Sequence, residues 1–348
     1  MSDPIRIGVV GAGGNTKLHH IPKLKKIAGV EVKAVANRSR ASSEKVAQEF
    51  GIERVHDTWQ EVVNDPGVDA VVIGTWPYMH CTVTLAALEA GKHVLTEARL
   101  AMNAAEARQM LAASRAKPHL VTQVVPGPTT FPVDPMVMHL LADGYVGEVQ
   151  CIDLRVSSGW LNREGPLTWR LNRDYSGLNI LTMGIWYECL SRWVGPATAI
   201  IARTRTAVPY RKDEERGERR AVSVPDHVEV LADLQNGAIA RMHWSSVAGL
   251  MPGPEVCVYG SEGTLRLEMR GRDCALFGGR RGDKELKPID IPKDKTYGWR
   301  VEEEFIGAIR GQEPVRRTSF QDAVNYMDFT EAVHISSREG RRVYLPLA

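Results

Sequence analysis

Three glycines, Gly11, Gly13 and Gly14, follow the β-branched run IRIGVV inside the string GVVGAGGNTKLHH, where a first strand turns into a first helix. Backbone N–H groups at a helix N-terminus approach a pyrophosphate closely only where side chains are absent, and glycine meets that demand. Gly11, Gly13, Gly14 and the adjoining Asn15 are therefore candidates for a dinucleotide phosphate site. The third position of the G-x-G-x-x-G pattern is Thr16, so the match is incomplete. Its context, with a strand before, a helix after and further strand and helix units behind, favours cofactor binding over a structural glycine turn.

The end of the second strand ordinarily decides between cofactors, because an acid there accepts from the ribose 2′-OH and repels a 2′-phosphate. Here it reads Ala36, Asn37, Arg38, Ser39, with no acid. Asn37 could bond a 2′-OH. Arg38 and Ser39 could hold a 2′-phosphate, or the guanidinium could stack on adenine; a solvated Arg38 is the competing reading. The turn weighs slightly toward NADP over NAD. His19 and His20 are read as lining the first helix, because no third ligand with metal-site spacing accompanies them. Cys81, Cys151, Cys189, Cys257 and Cys274 lie too far apart for a CxxC pair or a zinc cluster and read as buried thiols. No metal site is expected.

These residues need a scaffold. From Ile5 to about Val125, the strand-like runs IRIGVV, EVKAVA, AVVIGT, HVLTE and HLVTQVV alternate with helical segments at Thr16 to Ile27, Ala41 to Phe50, Thr58 to Val63, Cys81 to Ala90 and Ala104 to Ala116. That alternation predicts an α/β domain: a Rossmann-type, doubly wound parallel sheet covered by helices on both faces. PGPTTFPVDP then breaks regular structure. A helix near Met136 to Asp143 follows, then runs such as EVQCIDLRVSS, ATAIIARTRTAV, HVEVLADLQ, AIARMHWSSV, EVCVYGS and GTLRLEM, which predict a mostly antiparallel, open sheet. Late helical segments at Val301 to Arg310 and Phe320 to Arg338 pack on that sheet or return to the first domain. The expected division is a nucleotide-binding domain at 1–125 and an α+β substrate and oligomerisation domain at 126–348. The mixed-charge stretch RKDEERGERR, Arg211 to Arg220, is expected to be a solvated loop.

Composition narrows the function classes. In 348 residues, 44 Lys plus Arg against 42 Asp plus Glu give a formal charge of +2, which argues against a polybasic nucleic-acid or membrane surface. No apolar run approaches the roughly 20 residues that span a bilayer, and the N-terminus lacks a signal-peptide pattern, so a cytoplasmic protein is expected. Eight tryptophans outnumber six phenylalanines, an inversion of ordinary usage that makes their positions worth following.

GVVGAGG, GTWPYMHCTVTLAALEAGKHVLTEA, DGYVGEV, SGLNILTMGIWYECLSRWVG and VYGSEGTL together resemble the Gfo/Idh/MocA oxidoreductases across nearly the whole chain. The resemblance implies a Rossmann domain, a C-terminal domain with an open sheet, and a homodimer or homotetramer formed through that sheet. It also implies that Thr75, Trp76 and His80 line the pyrophosphate and nicotinamide ribose, with Glu97 near that ribose. For His80, a helix N-terminal histidine satisfied by backbone is the competing reading.

Where the family has Glu-Lys-Pro, this chain has Glu97, Ala98, Arg99; where the family has an Asp and a His four residues apart, it has Thr182 and Trp186. A positioned general base typically contributes about 10² to 10⁴ in rate, and Ala98, Thr182 and Trp186 do not titrate near neutrality. Arg99 could fix a carboxylate or a developing alkoxide electrostatically, and Thr182 and Trp186 could present a hydroxyl and an indole to substrate. They are the candidates at the catalytic positions. Asn179 is placed one turn earlier on the same helical face. Trp160, Trp169 and Arg170 fall where the family's substrate-side loops run, with core packing the alternative for the tryptophans. Tyr78, Tyr175, Tyr187, His80 and His243 are other titratable groups, none with an assigned role.

The leading expectation is an NAD(P)-dependent oxidoreductase acting by hydride transfer on a small polyhydroxylated or cyclic molecule such as a sugar, inositol or dihydrodiol. A catalytically silent NAD(P)-binding sensor is the first alternative. A hydrolase or lyase that oxidises transiently through a permanently bound NAD is the second.

Overall fold

The computed structural model describes residues 4–271 and 273–347. In chain order the elements are β1 (Ile5–Val10), a π-helical turn (Thr16–His20), α1 (Ile21–Leu24), β2 (Val30–Ala36), α2 (Arg40–Phe50), β3 (Arg54–Val55), α3 (Trp59–Asn64), β4 (Ala70–Ile73), α4 (Pro77–Glu89), β5 (His93–Thr96), α5 (Ala104–Ala116) and β6 (Thr122–Val124). They continue with α6 (Asp134–Ala142), β7 (Val149–Ser157), α7 (Arg173–Ser176), α8 (Met183–Val194), β8 (Ala197–Arg205), β9 (Tyr210–Asp213), β10 (Glu218–Ala221), β11 (His227–Leu234) and β12 (Ile239–Ser245). The last are β13 (Glu255–Gly260), β14 (Gly263–Arg270), β15 (Asp273–Arg280), β16 (Lys287–Pro288), α9 (Val301–Ile309), α10 (Phe320–Glu339) and β17 (Val343–Tyr344).

The chain divides into two compact units between Pro126 and Gly127, and Arg300–Val324 joins the first. A second domain uninterrupted over 126–348 is therefore not what forms. The buried face of α9 supplies Glu302, Glu304, Phe305 and Ile306 to the first unit, which explains why this segment leaves the second.

In the first unit six parallel strands run in the order β3-β2-β1-β4-β5-β6. β4 is buried along its whole length, as expected for a strand covered on both faces. Val10, Ala34, Val71, Ile73, Val83 and Leu88 belong to one core cluster joining sheet and helices. Side-chain caps start the helices: Ser39 accepts from Ser42 N, Thr58 from Glu61 N and Asn103 from Glu106 N. The two-residue edge strand β3 went unpredicted because it is too short to show a period.

The predicted helix from Thr16 to Ile27 is shorter and differently wound. Ile21 N–H donates to Thr16 O, five residues back, and α1 ends at Leu24. Pro22 has no N–H and its ring crowds the carbonyl four residues earlier, so a widened turn ahead of it relieves the helix.

The second unit is built on a nine-stranded sheet, β16-β15-β14-β13-β7-β12-β11-β8-β17, antiparallel except where β12 and β7 run parallel. Burial alternates along β11 and β12, so one face is covered and the other open. On the covered side Tyr187 of α8 stacks on Phe329 of α10 at 3.7 Å, and Trp244 of β12 meets Phe329 edge-on at 6.4 Å. The charged stretch Arg211 to Arg220 is not a loop but the hairpin β9–β10. Gly217, at φ +71°, makes its turn, and Arg220 ties it to Asp213 and Asp174 at 3.3 and 3.0 Å.

Candidate functional site

Gly11 and Thr75 follow β1 and β4, neighbouring strands whose connections depart to opposite sides. Open α/β sheets bind ligands outside the carboxyl ends of strands at such a switch point. Gly11 has φ +82°, a conformation that disfavours other residues, and a Cβ there would lie 2.5 Å from Thr75 Cγ2 and 2.8 Å from Thr75 N. Gly13 and Gly14 are exposed, and no atom among the described residues lies within 4 Å of a Cβ built at Gly14, so that side of the turn is open. Thr16, in place of the third glycine, is buried against Gly74, where a Cβ would overlap Thr16 Oγ1 and Gly11 O. The close approach that the third glycine ordinarily permits is supplied here from the facing strand.

A cleft of about 260 Å³ opens beside this turn, lined by Gly11, Asn37, Arg38, Trp59, Thr75 and Tyr78 among others. Asn37 braces its rim, accepting from Ala12 N at 2.7 Å and donating to Ser42 Oγ at 3.0 Å. Ser39 accepts from Ser42 N at 3.4 Å as the cap of α2, and Arg38 is exposed. Thr75 Oγ1 is buried with no hydrogen-bond partner among the described residues, a group that a ligand oxygen would satisfy. Bare backbone at a helix start, a polar rim and an orphaned hydroxyl are features that fit a dinucleotide. Trp59 escaped the sequence reading; its place after the short β3, which flanks β2, was the available signal.

Trp76 is half-buried and caps α4 ahead of Pro77. His80 is fully buried, with Nδ1 3.0 Å from Arg99 O and 3.3 Å from Leu100 O, and Nε2 3.0 Å from Thr75 O. Each ring nitrogen lies at hydrogen-bond distance from a backbone carbonyl, and the neutral ring donates to one of them: this is the backbone-satisfied alternative. Burial pushes its pKa down, against the pull of those carbonyls. His80 thus straps the chain after β5, where the Ala98–Arg99 peptide is cis and Arg99 is buried.

Glu97 carries the densest polar contacts of the first unit's site. Its Oε1 accepts from Asn15 Nδ2 and lies 2.9 Å from His20 Nε2, while Ala98 N donates to Oε2 at 3.3 Å. His20 Nδ1 lies 2.6 Å from Glu302 Oε1, and the His20 and Glu302 side chains are both fully buried. Burial alone would lower the His20 pKa, but hydrogen bonds to Glu302 and Glu97 raise it to about 9. Burial would likewise raise Glu97; the hydrogen bond and charge of His20, with Asn15, hold it below the usual carboxylate value. Sequence spacing places His20 as a helix-lining residue, whereas the structure gives it two carboxylate partners. Its partner Glu302 lies 282 residues away, and no local spacing announces it.

In the second unit Thr182 is the exposed N-cap of α8, and Trp186, in its first turn, is buried with 4% exposure. The expected indole surface is thus largely covered. Asn179 is not on that helix: it lies in the loop after α7, buried, with Nδ2 donating to Ser176 O at 2.7 Å. Trp160 is 70% exposed, and its ring lies against Gly249. Arg170 sits over the Trp169 ring at 4.3 Å. Tyr187 does not titrate near neutrality, because burial pushes it up to about 12 while its hydroxyl accepts from Ala197 N.

Among the described residues one group of three potential metal ligands comes together, His227, Glu229 and His243, with Nε2 of His227 and Nδ1 of His243 at 3.2 and 2.6 Å from Glu229 Oε1. Arg203 and Arg205 stand opposite Glu229 and His227 on the neighbouring strand β8, a cationic setting that opposes a metal ion.

Residues 5–124 match an oxidoreductase family with an NAD-binding Rossmann fold, and residues 136–266 match the GFO/IDH/MocA C-terminal domain. The trans-1,2-dihydrobenzene-1,2-diol dehydrogenase of Mus musculus is 30% identical over 300 residues, 84% of this chain and 83% of that protein. The levoglucosan dehydrogenase of Pseudarthrobacter phenanthrenivorans is 24% identical over 257 residues, spanning 69% of this chain and 66% of its own length. A solved levoglucosan dehydrogenase in complex with NADH and L-sorbose superposes with a TM-score of 0.85 at 22% identity, over 98% of this chain and 99% of that one. The fold, the glycine turn at its switch point and these matches agree: the chain belongs to the Gfo/Idh/MocA family of oxidoreductases, with that family's NAD-binding Rossmann domain and C-terminal domain.

Proposed function

We propose that the chain is an NAD(P)-dependent dehydrogenase that moves a hydride between the nicotinamide and a hydroxyl-bearing carbon of a small polyhydroxylated or cyclic substrate. The observation that carries this reading is the switch-point cradle, in which Gly11 meets Thr75 through bare backbone beside the buried, unpartnered Thr75 hydroxyl. Gly13, Gly14 and Asn15 hold the phosphates. Asn37 and Ser39 shape the adenosine end, and Arg38 inclines it toward NADP. Trp76 and Glu97 serve the nicotinamide half. The dinucleotide supplies the hydride acceptor when bound.

The substrate class rests on relatives named for levoglucosan and for a dihydrobenzenediol. Exposed Trp160 offers an apolar face to sugar C–H groups and Arg170 a cation for a hydroxyl or carboxylate, with exposed Thr182 as a polar group of the same unit. Arg99 acts electrostatically, and Trp186 fills space where a base would otherwise stand. The open sheet face, with Ile201, Leu231 and Ile239 each about half exposed, supports association with a second copy.

A dinucleotide-binding sensor without turnover is the second reading, favoured by Ala98, Thr182 and Trp186, none of which titrates near neutrality. The test is to purify the protein, identify any dinucleotide it carries, and screen sugars, inositols and cyclic diols at the nicotinamide absorbance. Turnover supports the dehydrogenase; tight binding with no turnover across the screen supports the sensor.

A further inference from the structure

His20 stands between two carboxylates, 2.6 Å from Glu302 and 2.9 Å from Glu97, in a site with no solvent exposure of its ring. Carboxylates only accept hydrogen bonds, and a neutral imidazole has a single N–H. With both carboxyl groups ionised, two such contacts have both ring nitrogens donating, the arrangement of an imidazolium bracketed by two anions.

Three segments meet there. The π turn Thr16–His20 swings His20 inward directly after the glycine-rich turn. Glu97 follows β5 and is held at the same oxygen by Asn15, the residue beside Gly14. Glu302 comes from the first turn of α9, in the segment that returns to this unit late in the chain. π turns inside helices concentrate at functional sites.

We propose that His20, as an imidazolium held by Glu302, is the positioning residue that fixes the Glu97 carboxylate against the glycine-rich turn, and so makes dinucleotide affinity depend on one buried proton. The proposal rests on the dinucleotide-binding reading of that turn. The titratable groups facing His20 include Glu97 from the end of β5 and Glu302 from α9; His80 from α4 is buried nearby, and its burial disfavours the charged form. With His20 protonated, Glu97 is fixed. Loss of that proton leaves one N–H between the two carboxyl groups. Glu97 then separates from Asn15 and the turn loosens.

NADH and NADPH affinity is measured by fluorescence from pH 7 to pH 10.5 alongside the NMR titration of the His20 imidazole, for wild type, His20→Gln and Glu302→Gln. Wild-type affinity should fall about tenfold or more as pH rises past 9, in step with the imidazole signal, the size of at least one pKa unit of coupling. His20→Gln should bind weakly at every pH. Glu302→Gln, which keeps the shape and removes one charge, should move both the imidazole titration and the affinity midpoint to lower pH. Affinity that stays level while the imidazole titrates, or Glu302→Gln that moves neither midpoint, overturns the proposal and leaves the dinucleotide reading standing. If the wild type binds neither dinucleotide, that reading falls, and this proposal with it.

Discussion

The Thr16 side chain lies on Gly74 so closely that a Cβ at position 74 would overlap the Thr16 hydroxyl. One small residue is needed at this crossing of the first helix and β4, and here it belongs to the strand. Gly74→Ala should therefore destabilise the fold by about 1–3 kcal/mol, the usual cost of overpacking, and weaken NADPH binding. Adding Thr16→Gly should recover part of both losses, since the two sites share one contact. Denaturant melts of the single and double variants check this; additive losses would contradict it.

Arg38 lines the cleft beside the glycine-rich turn, and Asn37 beside it is engaged by Ala12 and Ser42. If Arg38 holds a 2′-phosphate, Arg38→Ala should weaken NADPH about tenfold or more while changing NADH little, because a charge-assisted hydrogen bond is worth roughly 1.5–3 kcal/mol. Paired fluorescence titrations give the ratio directly. Equal losses for both dinucleotides would refer Arg38 to adenine stacking.

His20 also carries a stability signature. Its pKa is raised from 6.5 to about 9 by two carboxylates, so its contribution is fully present below pH 6.5 and is lost as pH rises through 9. The loss should be on the order of 3 kcal/mol, at about 1.4 kcal/mol for each pKa unit. Unfolding midpoints should decline across pH 6.5–9.5 in the wild type and vary much less in His20→Gln.

Much of this scaffold was legible in the chain. The strands β1, β2, β4, β5 and β6 read directly because buried parallel strands are nearly continuous β-branched runs, and the glycine turn read from its place after the first of them. What stayed hidden depends on contacts distant in sequence or on phase. His20 faces inward because a π turn shifts the helical register, and Glu302 reaches it from a segment that the sequence offered to either domain. The β9–β10 hairpin was obscured by its charges, most of which are solvated as expected, while Arg220 pairs with Asp213 across the strands and with Asp174. Trp186 and Asn179 looked like pocket groups at helical spacing, but α8 begins only at Met183, and both residues are buried.

The open face of the nine-stranded sheet sets Leu231 opposite Ile201 on the neighbouring strand, both about half exposed. If a second copy covers it, Leu231→Glu should shift the protein toward monomer in light scattering after size exclusion, with the melting profile of the monomer otherwise intact. An unchanged mass would place any association elsewhere.

The central claim is that the cradle of Gly11, Thr75 and the cleft beside them holds a dinucleotide. Titration of the purified protein with NADPH and NADH, followed by nicotinamide fluorescence, tests it most directly. Saturable binding of at least one of them with a Kd on the order of micromolar, equivalent to about −8 kcal/mol, is the predicted result. Binding of neither more tightly than about millimolar would contradict the account.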